Sequence, residues 1–179
     1  TGDAAYPAML AAIEGARRSV ALAVYIFRND EIGQAFIDAL IAARARGVAV
    51  RVLLDSIGSG YFWPAVLRRL HAGGIPAARF LHTWLAWRMP FLNMRNHRKL
   101  LIVDGALAFT GGMNIGAEYA PKVARDRAID DVHVQVEGPV VSHMMESFAL
   151  DWSFTTQENL GGADWWPPLA SKGAVCARG

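Results

Sequence analysis

Apolar runs and helical patterns alternate along the first hundred residues of the chain. Residues 20–27 and 48–55 are nearly unbroken apolar runs, which are typical of strands covered on both faces. A further strand is predicted at residues 75–81. Helical patterns separate these strands, at residues 7–18, 30–46 and 63–72. Strands that alternate with helices predict an α/β fold built on a largely parallel sheet.

The pattern changes after residue 97, where two strands follow one another without a helix between them. Residues 98–103 and 106–109 are joined by Asp104-Gly105, which is a strong signal for a hairpin turn. A strand at 131–137 and a helix at 139–154 follow, the helix opened by a proline. The predicted fold class is therefore α/β, with a mixed, largely parallel sheet flanked by helices on both faces.

Composition supports one globular domain with its own core. The chain has 179 residues, of which 53% are apolar and 19% charged, and this balance argues against disorder. It contains no uncharged apolar run of the length that a transmembrane helix needs. The single Cys176 excludes an internal disulfide and a multi-cysteine metal site, and we expect neither a metal nor a cofactor. Because the chain begins at Thr1 without a Met, we expect that it is a trimmed part of a longer protein.

Charge is unevenly distributed along the chain. Residues 1–100 carry 13 basic and 6 acidic groups, whereas residues 101–179 carry 5 basic and 10 acidic groups. The basic half is compatible with an anionic substrate, although solvated Arg side chains on helix surfaces explain it equally well. A net charge of +2 is small for a protein that binds nucleic acid, so no nucleic-acid partner is expected.

One short segment concentrates residues suited to phosphate chemistry. His97, Lys99 and Asp104 form the pattern H-x-K-x4-D, and Gly111-Gly112 and Asn114 follow as G-G-x-N. Random placement would produce only about 0.005 matches to the first pattern in a chain of this composition. An imidazole nucleophile, a compact cation and an amide donor together suit attack on a phosphodiester.

Spacing assigns different roles to the members of this pattern. His97 and Lys99 are two residues apart at the start of a strand, so their side chains leave the same face roughly 7 Å apart and both can reach one phosphate. Asp104 lies at odd spacing from His97 and at the first position of the hairpin turn. We therefore expect Asp104 to have a structural role.

The two glycines before Asn114 have two interpretations. Gly111 and Gly112 can direct backbone N–H groups at an anion, with a short helix from Ile115 adding its positive end and the Asn114 amide donating to a phosphoryl oxygen. The alternative is an ordinary glycine turn with an Asn cap. The neighbouring H-x-K pattern favours substrate binding.

Four sequence blocks resemble the phospholipase D superfamily, and within it bacterial cardiolipin synthases most of all. These blocks lie at residues 96–99, 109–116, 136–139 and 151–152. The resemblance runs from about residue 7 to 160 and covers one half of such an enzyme, since the family carries the motif twice and this chain carries it once. It implies a catalytic half-domain at 1–160 and a tail at 161–179 that leads toward a second half.

The resemblance also implies a mechanism and a set of roles. A phosphatidyl group would be transferred in two steps through a phosphohistidine, without a metal. His97 would be the nucleophile, with Lys99 and Asn114 stabilising the phosphoryl oxygens. Asp131 would orient the imidazole, and the adjacent Asp130 is the alternative by one step of register.

The implied partners are an anionic phospholipid such as phosphatidylglycerol, a membrane surface on the cytoplasmic face of a bacterial inner membrane, and a second motif-bearing half. That half would be covalent or supplied by a homodimer. A homodimeric phosphodiesterase, nuclease or phospholipase D hydrolase is the alternative function, and a non-catalytic phosphate-binding module is the third. The aromatic segment at residues 82–95 either meets acyl chains or packs against the protein.

Overall fold

A computed structural model describes residues 1–56, 65–81, 96–173 and 175. The aromatic segment at 82–95, the predicted helix start at residue 63 and Cys176 lie outside the described residues. Six strands lie within them: β1 (Ser19–Val24), β2 (Ala49–Asp55), β3 (Ala77–Phe80), β4 (Leu100–Val103), β5 (Leu107–Gly111) and β6 (His133–Glu137). The helices there are α1 (Gly2–Gly15), α2 (Glu31–Ala45), α3 (Ala65–Ala72), the single turn α4 (Pro121–Ala124) and α5 (Val140–Thr156).

The strands form one mixed sheet in the order β3-β2-β1-β4-β5-β6. The pairs β1–β2 and β2–β3 are parallel, whereas β1–β4, β4–β5 and β5–β6 are antiparallel. Consequently β1, β2, β3 and β5 all run in the same direction. The predicted mixed α/β sheet is confirmed, and its parallel pairs lie where helices connect the strands.

Helices cover both faces of the sheet, as predicted. On one face, alternate residues of β1 such as Val20 and Leu22 join a core with residues of α1, α2 and α3. On the other face, Ala21 and Ala23 join a second core with residues of α5 that include Phe148 and Trp152. All six residues of β1 are buried. The unbroken apolar run of this strand therefore reflects burial on both sides.

Helix boundaries agree with the predicted signals at α2 and depart from them at α1. The Asp30 side chain accepts a hydrogen bond from the Gly33 amide at 2.9 Å and caps α2, and Gly47 follows the helix with φ 92°. Helix α1 was predicted to begin at Pro7, but it begins at Gly2 and contains that proline. Burial of Tyr6 in the core extends the helix toward the N-terminus.

The first part of the tail packs against the domain. Trp165 is 6% exposed and belongs to the core beneath α5. The Trp166 indole donates to the Leu160 carbonyl at 2.7 Å, and the Ser19 hydroxyl donates to the Asp164 carbonyl at 2.5 Å. Whether residues 161–179 lead into a second half stays a prediction. No helix in the described part of the chain is long and apolar enough to cross a membrane.

Candidate active site

The H-x-K segment lies at the edge of the sheet where β1 ends and β4 begins. Ala23 pairs with Leu100, so the residues after β1 lie beside those before β4. Gly111, at the end of β5, pairs with His133, at the start of β6. The carboxyl ends of β1 and β5 therefore meet at this edge, which is where α/β sheets commonly form ligand sites.

His97 and Lys99 are brought together by an aromatic ring. The imidazole of His97 is exposed and stacks on Tyr25, with ring centroids 4.2 Å apart and an interplanar angle of 29°. The Lys99 ammonium lies 5.4 Å from the centroid of the same Tyr25 ring. Lys99 Nζ also donates to the His97 carbonyl at 2.8 Å. The side chains of His97 and Lys99 thus contact the same aromatic ring, and the ring face attracts the cation.

The electrostatics around Lys99 combine burial with a nearby carboxylate. Burial lowers the pKa of Lys99, and the negative charge of Asp131 opposes that shift. The Asp131 carboxylate accepts a hydrogen bond from the Val132 amide at 2.7 Å. The predicted pairing of Asp131 with the His97 ring stays a prediction, and so does the alternative assignment to the exposed Asp130.

Gly111 and Gly112 pack closely against the start of β6. A Cβ at Gly111, which has φ 154°, would lie 2.1 Å from the Val132 carbonyl oxygen. A Cβ at Gly112 would lie 2.2 Å from Oδ1 of Asp131. The Gly112 amide donates to the Val132 carbonyl at 3.0 Å, so that donor is engaged within the protein. The glycines allow the Asp131 carboxylate to approach the site; their contact with substrate stays a prediction.

His133 lies beside these glycines, and the two nitrogens of its imidazole are buried without hydrogen bonds to other described residues. The residue as a whole is partly buried. Burial lowers the pKa of His133 to about 4, and the Asp131 carboxylate only partly opposes the shift. The imidazole is therefore neutral at physiological pH.

Asn114 is 5% exposed and holds the loop after β5 in place. Its Oδ1 accepts from the Ile26 amide at 2.9 Å, and its Nδ2 donates to the Tyr119 hydroxyl at 3.0 Å. The Tyr6 hydroxyl donates to the Asn114 carbonyl at 2.8 Å. The Asn114 side-chain amide has a second N–H. Its contact with a phosphoryl oxygen stays a prediction. A 3-10 turn at Ala117–Tyr119 stands where a short helix from Ile115 was predicted.

Asp104 lies in the hairpin turn, away from the H-x-K segment. It has φ 52° and the following Gly105 has φ 63°, the backbone of a tight two-residue hairpin. Its carboxylate accepts hydrogen bonds from the amides of three consecutive residues, at distances of 2.7 to 3.1 Å: Arg17, Arg18 and Ser19. These contacts tie the hairpin to the start of β1.

A polar cluster flanks His97 on both sides in the sequence. Asn96 is 7% exposed; its amide N–H donates to Asp55 Oδ2 at 3.2 Å and its side chain donates to Asp151 Oδ2 at 2.8 Å. The Asn96 side-chain oxygen accepts from the Arg98 amide at 3.1 Å, and Arg98 forms an ion pair with Asp151. Residues of β2 and α5 thereby hold the backbone on either side of His97.

An open groove of about 630 Å³ begins at this segment. One end is lined by His97, Arg98 and Lys99, and α5 forms the opposite wall with side chains that include Met144 and Leu150. The volume is within the usual range of small-molecule sites. Among the described residues, no group of three or more His, Cys, Asp or Glu side chains is arranged to hold a metal ion.

Sequence reasoning did not assign roles to three residues of this site. Tyr25 lies within an apolar run of the sequence, and nothing near it in the chain indicates its contact with His97. Asn96 and Asp151 belong to the blocks that carry the family resemblance, but the sequence does not show that they touch. Their place in those blocks is the sequence signal that could have found them.

Comparison with known proteins shows the family of the chain. Residues 9–152 match the family described as "Cardiolipin synthase, PLD-like domain". The chain belongs to this family. Its PLD-like domain is 37% identical over 155 residues to cardiolipin synthase 1 of Bacillus anthracis. The matched region covers 87% of this chain and 30% of the relative. It is 40% identical over 158 residues to cardiolipin synthase A of Pseudomonas fluorescens SBW25. That matched region covers 88% of this chain and 33% of the relative.

The PLD-like domain thus spans about a third of the length of these relatives. Solved structures share its fold. The phospholipase D family member Nuc from Salmonella typhimurium superposes with a TM-score of 0.64 at 22% identity, over 86% of this chain and 90% of that chain. The phosphatidylserine synthase from Haemophilus influenzae superposes with a TM-score of 0.62 at 14% identity, over 82% and 34% of the two chains.

Proposed function

We propose that the PLD-like domain is one catalytic half of a phosphatidyltransferase that forms cardiolipin from phosphatidylglycerol. The observation that carries the proposal is the exposed His97 imidazole stacked on Tyr25, with the Lys99 ammonium 5.4 Å from the same ring, both residues lining an open groove. A nucleophile and a cation so placed can attack a phosphodiester and stabilise the charge on its oxygens. Relatives named cardiolipin synthase, 36 to 40% identical along most of the chain, support the choice of reaction.

In the proposed first step, a ring nitrogen of His97 attacks phosphorus of phosphatidylglycerol. The bond from phosphorus to the headgroup glycerol breaks, and that glycerol leaves with a proton from a second histidine. A phosphatidyl-histidine remains. In the second step, the free hydroxyl of another phosphatidylglycerol attacks phosphorus, gives its proton to the second histidine and releases His97. The products are cardiolipin and glycerol, and no metal is required.

The surrounding residues have distinct parts in this scheme. Lys99 and Asn114 stabilise the phosphoryl oxygens, and partial burial lowers the pKa of Lys99. Asp131 orients the His97 imidazole and stabilises its positive charge. The Tyr25 ring stacks on the His97 imidazole, with ring centroids 4.2 Å apart, and helps to hold it in place. Gly112 leaves room for the Asp131 carboxylate.

The second histidine comes from a second motif-bearing half, since the H-x-K-x4-D pattern occurs once in this chain. The half-domain works at the surface of a membrane, on the cytoplasmic side, where its anionic substrate is present. We favour a covalent second half over a homodimer because the relatives are about three times as long as the matched region.

Phosphatidylglycerol liposomes analysed by mass spectrometry test the proposal. The domain alone and a polypeptide that joins it to a second H-x-K half are compared, each with His97→Gln and with the control His71→Gln. His71 is exposed and bonds to the Ala77 carbonyl at 2.8 Å, on another part of the fold. We expect cardiolipin and glycerol from the joined polypeptide and its control, and none from His97→Gln.

Two outcomes would contradict this scheme. Full activity of the domain alone would show that the second histidine comes from another copy of the chain in a homodimer, and not from a covalent second half. Release of phosphatidic acid without cardiolipin would make water the acceptor and the protein a hydrolase. A trapped phosphatidyl adduct on the peptide that contains His97 would identify the nucleophile directly.

A further inference from the structure

The side-chain amide of Asn114 is held at both of its ends. Its Oδ1 accepts from the Ile26 amide at 2.9 Å, and because a backbone N–H can only donate, this contact fixes which end of the carboxamide is the oxygen. Its Nδ2 donates to the Tyr119 hydroxyl at 3.0 Å. A planar carboxamide with both ends engaged has one direction left for its second N–H.

Tyr119 offers a fixed acceptor for this contact. It is 8% exposed, and helix α1 packs so closely on it that a Cβ at Gly2 would lie 2.4 Å from the Tyr119 carbonyl oxygen. The 3-10 turn that carries Tyr119 is also tied to α2, since the Ala117 amide donates at 2.7 Å to the Asp30 carboxylate that caps this helix. Contacts with two helices therefore set the position of the Tyr119 hydroxyl.

The Asn114 carboxamide lies close to the residues that carry the proposed chemistry. The residues on either side of Asn114 line a small cavity together with Lys99. Its Oδ1 accepts from the residue that follows Tyr25, and the Tyr25 ring stacks on His97 with centroids 4.2 Å apart. The orientation of this carboxamide is therefore a property of the site and not of a remote loop.

We propose that Tyr119 is a positioning residue, whose hydroxyl directs the second N–H of Asn114 toward a phosphoryl oxygen of the substrate. This inference rests on the proposed function, in which Asn114 stabilises that oxygen. Without the hydroxyl, one N–H of a buried carboxamide has lost its acceptor, so the group turns to find another and its second N–H loses its fixed direction. Tyr119 acts in this way through Asn114 and does not touch the substrate.

The kinetic test uses the joined polypeptide and liposomes in which the mole fraction of phosphatidylglycerol is varied. Tyr119→Phe removes the hydroxyl and keeps the ring. We expect it to lower kcat about tenfold with a smaller change in KM, because a misdirected donor stabilises the transition state less. In an Asn114→Ala background, Tyr119→Phe should cause no further loss of kcat, since the carboxamide through which it acts is gone.

Tyr6→Phe is the matched control, because it makes the same chemical change in the same network. Tyr6 is 3% exposed, and its hydroxyl donates to the backbone carbonyls of Asn114 and Gly116, at 2.8 and 3.0 Å, and not to the carboxamide. We expect Tyr6→Phe to lower the urea midpoint at least as much as Tyr119→Phe but to lower kcat less. Its loss of kcat should persist in the Asn114→Ala background.

A second readout needs no turnover. The side-chain amide signals of Asn114 in 15N NMR spectra of the chain, assigned by their absence from Asn114→Ala, are followed during titration with inorganic phosphate. We expect phosphate to shift one Nδ2 proton in the unaltered chain, and Tyr119→Phe to remove most of that shift. Tyr6→Phe should keep it.

Several results would overturn the inference. Equal losses of kcat in Tyr119→Phe and Tyr6→Phe, or a full loss from Tyr119→Phe in the Asn114→Ala background, would make Tyr119 a residue that only stabilises the loop. A phosphate shift that is absent in the unaltered chain, or unchanged in Tyr119→Phe, would remove the directed N–H. Failure of the unaltered joined polypeptide to form cardiolipin would contradict the proposed function, and the phosphate titration would then decide the role of Tyr119 by itself.

Discussion

Asp151 connects α5 to the segment that carries His97, and its replacement separates two kinds of interaction. Its Oδ2 accepts from the Asn96 side chain at 2.8 Å and also pairs with Arg98. Asn96 is 7% exposed, so water reaches its amide poorly once the carboxylate is gone. Asp151→Ala removes both partners, whereas Asp151→Asn keeps an oxygen that accepts from Asn96.

The magnitude follows from burial. Leaving the buried Asn96 N–H without an acceptor costs about 1–3 kcal/mol. The ion pair adds less, since the Arg98 side chain is 47% exposed and such pairs contribute about 0–1 kcal/mol. We expect Asp151→Ala to lower the free energy of unfolding by about 2–3 kcal/mol and Asp151→Asn by about 1 kcal/mol.

Urea unfolding followed by tryptophan fluorescence measures both values. Asp38→Asn is the control: it breaks the Arg69–Asp38 pair at 3.0 Å, whose side chains are 38% and 68% exposed, and should cost less than about 0.5 kcal/mol. If Asp151→Ala and Asp38→Asn prove equally mild, the cluster around Asn96 does not anchor the His97 segment. If Asp151→Asn costs as much as Asp151→Ala, the charge rather than the hydrogen bond is responsible.

Two further predictions concern rings in the site. Burial lowers the pKa of His133 to about 4, below the ordinary value of 6.5, so the unfolded chain binds this proton first as pH falls. The free energy of unfolding should therefore decrease between pH 6.5 and 4, and His133→Asn should flatten that part of the curve in urea titrations; an unchanged slope would refute the assignment. Tyr25→Leu should remove the upfield ring-current shift of the His97 ring protons in NMR spectra and lower kcat at least tenfold in the liposome assay, whereas Tyr25→Phe keeps the stack and should retain both. Equal losses in the two variants would instead assign the effect to the Tyr25 hydroxyl.

Local sequence determined the elements of the fold. The apolar run of β1 carries no charge because both faces of this strand are covered, and Asp104-Gly105 suits a tight hairpin. The ends of α2 follow from Asp30 and Gly47, whose conformations depend on their own backbone and near neighbours. The start of α1 was predicted wrongly because packing of Tyr6 in the core extends that helix beyond Pro7.

The sequence by itself also supplied the prediction that His97 and Lys99 carry the chemistry, since that prediction needs only their spacing of two. Tertiary structure decided how they are held. Asn96 and Asp151 are 55 residues apart, and Tyr6 and Asn114 are 108 apart, so their contacts exist only after the sheet and α5 have assembled. The neutral state of His133 likewise depends on burial against β5, which outweighs the opposing charge of its chain neighbour Asp131. Pairwise contacts between distant residues leave no local signal in a single sequence. Strand, helix and turn propensities act over a few residues, so a single sequence shows them.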